Sequence, residues 1–248
     1  MMNPFLAAVF LFFITILSGY LSIFIKSGKI LQKKLLLAFT GAYLFGIAIL
    51  SLLPEVFEHK NSYSGLFIIA GFMFQLVLEF FSEGIEHGHQ HLHTNHNHHN
   101  HKNNIPLGLM LGLCTHALLE GLPILKFNSN GEPHVILAML LGISVHNIPI
   151  SLTLVQVLQE CGIKQKKIWL MLFVFALFTP LGLGLSYFFN EYLFGISPEI
   201  HSYLLSIVVG IFLHISTTIL FETSESHRFN LQKFGVIVLG ILFSLLFV

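Results

Sequence analysis

Residues 168–189 read IWLMLFVFALFTPLGLGLSYFF, 22 positions without a charged side chain. At about 1.5 Å rise per residue a helix of this length spans about 33 Å, enough to cross the hydrocarbon core of a bilayer. The run shows no period-2 alternation, so it reads as a spanning helix rather than a lipid-facing barrel strand. Seven further apolar stretches flank it, at 4–25, 35–57, 64–83, 105–125, 134–158, 201–221 and 233–248. The expected fold is therefore an all-α integral membrane protein with eight transmembrane helices.

Composition supports that class and excludes others. Of 248 residues, 54% are hydrophobic, 10% are charged and 26 are Phe, and the mean hydropathy is +0.80. Soluble domains carry roughly 25% charged residues, so a water-soluble globule does not fit. Lys+Arg and Asp+Glu balance at 12 each, which leaves no basic stripe for nucleic acid. Two cysteines, Cys114 and Cys161, cannot build a disulfide framework or a Cys-rich zinc module. The first stretch has no Lys or Arg before it and is followed by Lys26 and Lys29 instead of a cleavage site, so it is expected to be a retained helix.

The cations set an expected orientation. With eight spans, Lys26, Lys29, Lys33, Lys34, Lys102, Lys164, Lys166, Lys167, Arg228 and Lys233 share one side, and only Lys60 and Lys126 face the other. The positive-inside rule makes the richer side cytoplasmic and both termini extracytoplasmic, in a plasma or bacterial inner membrane. The chain then divides into helices 1–3 (1–83), a polar segment (84–104), helices 4–5 (105–160) and helices 6–8 (161–248). The polar segment carries His87, His89, His91, His93, His96, His98, His99 and His101 among Asn and Gln. Such a composition builds no packed core and is expected to be a disordered cytoplasmic loop. Its imidazoles suit a metal collector or sensor, although an inert polar linker would look similar.

Functional reading begins with the groups that hydrocarbon excludes, because a carboxylate near the bilayer centre costs about 2.5–3.5 kcal/mol on insertion scales. Helix 4 contains Cys114-Thr115-His116-Ala117-Leu118-Leu119-Glu120-Gly121-Leu122-Pro123, and helix 5 contains His146-Asn147-Ile148-Pro149-Ile150-Ser151. His116 and Glu120 are four apart and share a helix face. With His146 and the carbonyl oxygen of Asn147 they form a donor set suited to one four-coordinate, zinc-type ion without thiolate. Pro123 and Pro149 each remove a backbone donor near it. The plainer alternative is a hydrogen-bonded cluster that braces the helices.

Weaker candidates line the same expected path. Ser51 and Glu55 lie one turn apart on helix 2, and Gln75 and Glu79 share a face of helix 3, where an interhelical hydrogen bond is as fitting as a pathway role. Ser151 follows the helix-5 motif. On helix 7, His214, Ser216, Thr217 and Thr218 either line a wet path or join helices. Gly182-x-Gly184 on helix 6 reads as a close-packing pair.

These motifs, in this order, resemble the ZIP zinc/iron transporters over most of the chain. Leu52-Leu53-Pro54-Glu55 is similar to the family's helix-2 signature, with Ser51 where His is usual; Gly71-Phe72 through Leu78-Glu79 resembles helix 3, and a His-rich loop follows. His116-x-x-x-Glu120-Gly121-Leu122, His146-Asn147-Ile148-Pro149, Thr179-Pro180-Leu181-Gly182 and Gly210 to Glu222 resemble helices 4 to 7. The resemblance implies two related three-helix units enclosing helices 4 and 5, a 3+2+3 arrangement. It also implies ATP-independent movement of a divalent metal into the cytosol, Zn²⁺ foremost and Fe²⁺, Mn²⁺ or Cd²⁺ as candidates, by alternating access. Ala117 and Ile150 stand where many members carry polar ligands, and Thr179 where some carry Glu, which implies one transport site of His116, Glu120 and His146, with Asn147 as a candidate fourth donor, instead of two. Ser51, Glu55, Glu79, Ser151 and His214 are then accessory pathway or metal residues. The expected partners are metal ions and the lipid bilayer, with a homodimer as a candidate assembly. No catalytic cofactor and no enzyme activity are expected. An intramembrane zinc-dependent hydrolase is the competing class, disfavoured because no His-Glu-x-x-His motif occurs. A metal sensor or receptor without flux is the third.

Overall fold

The computed structural model describes residues 4–22, 30–58, 62–82, 107–122, 133–188, 198–222 and 231–247, and every regular element among them is helical. The helices are α1 (Pro4–Leu21), α2 (Ile30–Ile47), α3 (Ser64–Ser82), α4 (Leu107–Gly121), α5 (Pro133–Glu160), α6 (Gln165–Phe188), α7 (Pro198–Glu222) and α8 (Leu231–Ser244). α2 continues through a π-helical turn, Ala48–Leu52, into a short α segment, Leu53–Glu58. Each apolar stretch of the sequence corresponds to one of these helices. Five are long and apolar enough to cross a membrane, namely α2 with its continuation, α3, α5, α6 and α7; α1, α4 and α8 are shorter apolar helices. The His-rich segment, Pro123 and the cations of the loops after α1, α3 and α4 lie outside the described residues.

Local sequence explains the ends. α1, α5 and α7 open on Pro4, Pro133 and Pro198, where a missing N–H leaves no intrahelical bond unmade. α5 stops at a tight turn in which Ile163 N–H donates to the Leu158 carbonyl (3.1 Å) and Gly162 N–H to that of Gln159 (2.9 Å). Gly162 holds φ at 71°, which favours glycine, and the pattern is a Schellman cap. Lys233 in the first turn of α8 donates from Nζ to the Leu220 carbonyl at 3.0 Å, satisfying an acceptor in the last turn of α7.

Apolar side chains gain little by leaving lipid for each other, so close approach must hold the bundle. Two reciprocal glycine contacts provide it. A Cβ on Gly71 would run into the Ile207 carbonyl, and one on Gly210 into the Ile68 carbonyl, locking α3 to α7. Likewise a Cβ on Gly121 would strike the Thr179 carbonyl and one on Gly182 the Leu118 carbonyl, locking α4 to α6. Of the expected Gly182-x-Gly184 pair only Gly182 packs this way; Gly184 faces open space, because positions two apart lie on different sides of a helix.

Helix neighbours fall into two sets: α2, α3, α7 and α8 pack mainly on one another, and α1, α4, α5 and α6 do the same. α3 against α4 and α2 against α5 join the sets. Of the five long apolar helices α5 is the most buried and α3 the least. Met139, Leu140 and Ile143 of α5 enter one apolar core with α2 and α7, whereas Ile150, Leu154 and Leu158 enter a second with α4 and α6. His146 and Asn147 fall between the two, where the inner helix passes from one core to the other.

Candidate metal centre

α4 buries Leu109, Leu113, His116, Ala117 and Glu120, a stripe of helical period. His116 and Glu120 therefore face the bundle interior by register alone, and both are 0% exposed. His146 on α5 is also 0% exposed. Pro149, inside α5, cannot donate to the carbonyl four residues back, which leaves the Val145 acceptor beside His146 without that bond.

The three side chains converge. His116 Nε2 lies 3.0 Å from Glu120 Oε1, and His146 Nε2 lies 3.8 Å from the same oxygen. The imidazoles meet edge to face, with centroids 5.8 Å apart and an interplanar angle of 79°. One donor atom from each residue lies within 4.8 Å of the others. A tetrahedral zinc shell with bonds of about 2.0–2.1 Å sets its ligand atoms about 3.3 Å apart, so this triangle needs only small shifts to close on an ion. Glu120 Oε2 and both amide atoms of Asn147, itself 1% exposed, have no hydrogen-bond partner among the described residues. A buried polar atom without a partner costs about 1–3 kcal/mol, a cost that a bound cation can offset.

Hydroxyl groups in these helices avoid that problem locally. Ser151 Oγ donates to the Asn147 carbonyl at 2.7 Å, Ser216 to Phe212 at 2.6 Å and Thr217 to Leu213 at 2.7 Å. Ser216 and Thr217 thus donate their protons to their own helix, which leaves only their acceptor lone pairs for another partner. Gln75 and Glu79 reach across helices: Gln75 Oε1 accepts from His116 Nδ1 at 3.1 Å, and Glu79 Oε2 lies 2.6 Å from His214 Nε2. The second pair stands apart from the His116–Glu120–His146 cluster. Ser51, in the π turn of α2, is half-buried with no partner for its Oγ among the described residues, and Glu55, half-buried one turn on, does not join the cluster. Cys114 is buried outside it. Ala117 and Ile150 belong to the second apolar core.

Gln75 is the site neighbour that sequence reasoning left undecided. Its signal is a lone amide at the middle of α3, whose neighbours Met73, Phe74, Leu76 and Val77 are all exposed while Gln75 is 0% exposed.

Fold and donor set define a class: a multi-pass helical membrane protein with a cluster suited to a divalent cation among its inner helices. The family model described as ZIP Zinc transporter matches residues 87–247, and the chain belongs to that family. Zinc transporter ZIP9-B of Xenopus laevis is 28% identical over 167 residues, covering 64% of this chain and 53% of its own. Zinc transporter ZIP9 of Xenopus tropicalis gives the same figures. Zinc transporter ZIP9 of Micropogonias undulatus is 27% identical over 165 residues, covering 64% of this chain and 51% of its own. The chain spans about half the length of the curated relatives it matches.

Proposed function

We propose that the protein transports divalent metal, Zn²⁺ foremost, across a membrane into the cytosol, through one site formed by His116, Glu120 and His146 with Asn147 as a fourth donor. The observation that carries this reading is the convergence of three fully buried donor atoms within 4.8 Å, on two helices of a ZIP-family chain. Nitrogen and oxygen donors without thiolate hold zinc less tightly than a Cys-based structural site, which suits release. Fe²⁺, Mn²⁺ and Cd²⁺ are candidate alternative cargo for the same donors.

The helix pairings support the 3+2+3 arrangement that alternating access would use. Exchanging α1 with α6, α2 with α7, α3 with α8 and α4 with α5 turns the α3–α7 contact into α8–α2, and the α4–α6 contact into α5–α1. All four contacts are among the most extensive, as an internal two-fold repeat would give, whereas the α3–α4 and α2–α5 contacts have no counterpart of similar extent in α8–α5 or α7–α4 among the described residues. Both termini are placed outside the cytosol on the cation count, and Glu79 and His214 are assigned to the pathway as an accessory pair.

The test is zinc uptake into proteoliposomes. His116→Ala and Glu120→Ala should each abolish flux, and unimpaired uptake by either variant would remove the site. Deleting residues 87–101 should leave flux intact and change its regulation, the loop acting as a tethered metal collector. Metal-dependent cleavage of lipid or peptide without flux would instead favour a hydrolase, and loss of a zinc response without flux a sensor.

A further inference from the structure

One histidine of the cluster is held from behind its ring. Behind His116 is the Gln75 amide oxygen, 3.1 Å from Nδ1, contributed by α3, a helix that supplies none of the three clustered donors. An amide oxygen only accepts, so the hydrogen of this bond sits on Nδ1. Nε2 is then the nitrogen whose lone pair meets an ion, and it is the nitrogen 3.0 Å from Glu120. A ring free to choose would place its proton on Nε2, directed at the carboxylate, and close the cluster as a simple hydrogen-bonded pair.

We infer that Gln75 is a positioning residue for transport: it holds His116 with Nδ1 protonated and Nε2 turned to the cargo ion, and its neutral amide sets how tightly that ion is held. This rests on the transport-site reading above. Metal-bound histidines commonly donate their second N–H to a carboxylate, which makes the imidazole a stronger donor. An amide oxygen orients the ring equally well but adds less basicity, so the ion is guided in without being trapped. Burial argues for that task. Gln75 lies on a helix that is otherwise largely exposed, is itself 0% exposed, and sits in line with Gly71 where α3 is locked against α7. The backbone that carries it is therefore fixed relative to the bundle, as a positioning group needs.

The experiment uses the full-length chain with Zn²⁺ as the probe. First, ¹⁵N NMR of histidine-labelled, metal-free protein at neutral pH, with His116 assigned by its loss in His116→Ala, should show Nδ1 of His116 protonated. In Gln75→Leu that nitrogen should become unprotonated, with the proton on Nε2. Second, the KM for zinc uptake in proteoliposomes should rise about 10–100-fold in Gln75→Leu, with melting of the metal-free protein unchanged. Gln75→Glu should restore the Nδ1–H signal, bring KM to or below the wild-type value and slow turnover by holding zinc longer. A merely structural staple between α3 and α4 would move the melting temperature and leave the tautomer alone. An unprotonated Nδ1 in the wild type, or a wild-type KM in Gln75→Leu, overturns the inference. If Gln75→Leu does not fold, the wild-type spectrum and the Gln75→Glu turnover still decide it. Loss of flux in His116→Ala with a wild-type KM in Gln75→Leu rejects only the positioning role; undisturbed flux in His116→Ala rejects the site and this inference with it.

Discussion

Glu79 Oε2 and His214 Nε2 meet at 2.6 Å and join α3 to α7 one helical turn from the residue by which α3 reaches His116. The side chains are 19% and 5% exposed, so water compensates poorly for either one left alone. Removing a single partner costs the other this buried bond, at about 1–3 kcal/mol. Glu79→Ala and His214→Ala should each lower the melting temperature in detergent, and the double variant should lose less than the sum. A pathway role adds a second expectation: Glu79→Gln, which keeps a hydrogen-bonding partner for the imidazole, should reduce zinc flux while melting stays near wild type. Full flux in that variant would leave the pair a structural tie.

The glycine contacts predict a graded series. Gly121→Ala and Gly182→Ala each drive a methyl group into a backbone carbonyl of the facing helix, which cannot rotate away as a side chain can. Each should destabilise the solubilised protein by about 1–3 kcal/mol, as overpacking does. Gly184→Ala meets open space in the same helix and should be neutral or slightly stabilising, since Ala suits a helix better by up to about 1 kcal/mol. Equal melting of Gly182→Ala and Gly184→Ala would contradict the α4–α6 contact.

The legible part of the fold and site is the local part. Hydropathy finds the helices because each is one continuous apolar run, and His116 with Glu120 is visible because positions four apart share a face whatever surrounds them. His146 requires knowing that α4 and α5 bring their polar stretches together, which only the motif order supplied. The partner of Gln75 lies 41 positions away on another helix, and nothing in the composition of 64–83 chooses His116 over any other donor. The π turn at Ala48–Leu52 was equally hidden, because one extra residue in a helical turn leaves an apolar run apolar. Of Gly182 and Gly184, the glycine that packs depends on where α4 lies, which a pattern of small residues does not contain.

Acid should weaken zinc uptake. An ion can occupy His116 and His146 only if each offers a lone pair, so protons and metal compete for the same nitrogen atoms. The apparent KM should rise as pH falls, by up to tenfold per unit for each proton displaced. Zinc uptake measured from pH 8 to 5.5 with the same pH on both sides of the membrane isolates this competition from any proton gradient. A flat KM over that range would mean that no histidine of the cluster exchanges a proton for the cargo.

Glu120 separates stability from function. Its carboxylate is 0% exposed and neither oxygen has a hydrogen-bond partner among the described residues, an arrangement that disfavours the metal-free state and that a divalent cation would relieve. Glu120→Gln keeps the shape, removes the charge and still allows a hydrogen bond with His116. The metal-free variant should therefore melt at or above the wild-type temperature, as is usual when a strained functional group is neutralised. Its zinc flux should fall at least about tenfold, because one anionic ligand of a three-donor cluster is lost. Zinc should raise the melting temperature of the wild type by mass action and that of the variant much less. Both measurements are best made with residues 87–101 deleted, so that the eight loop imidazoles do not contribute to binding. A variant that melts early and transports normally would show that the carboxylate braces the helices without holding the ion.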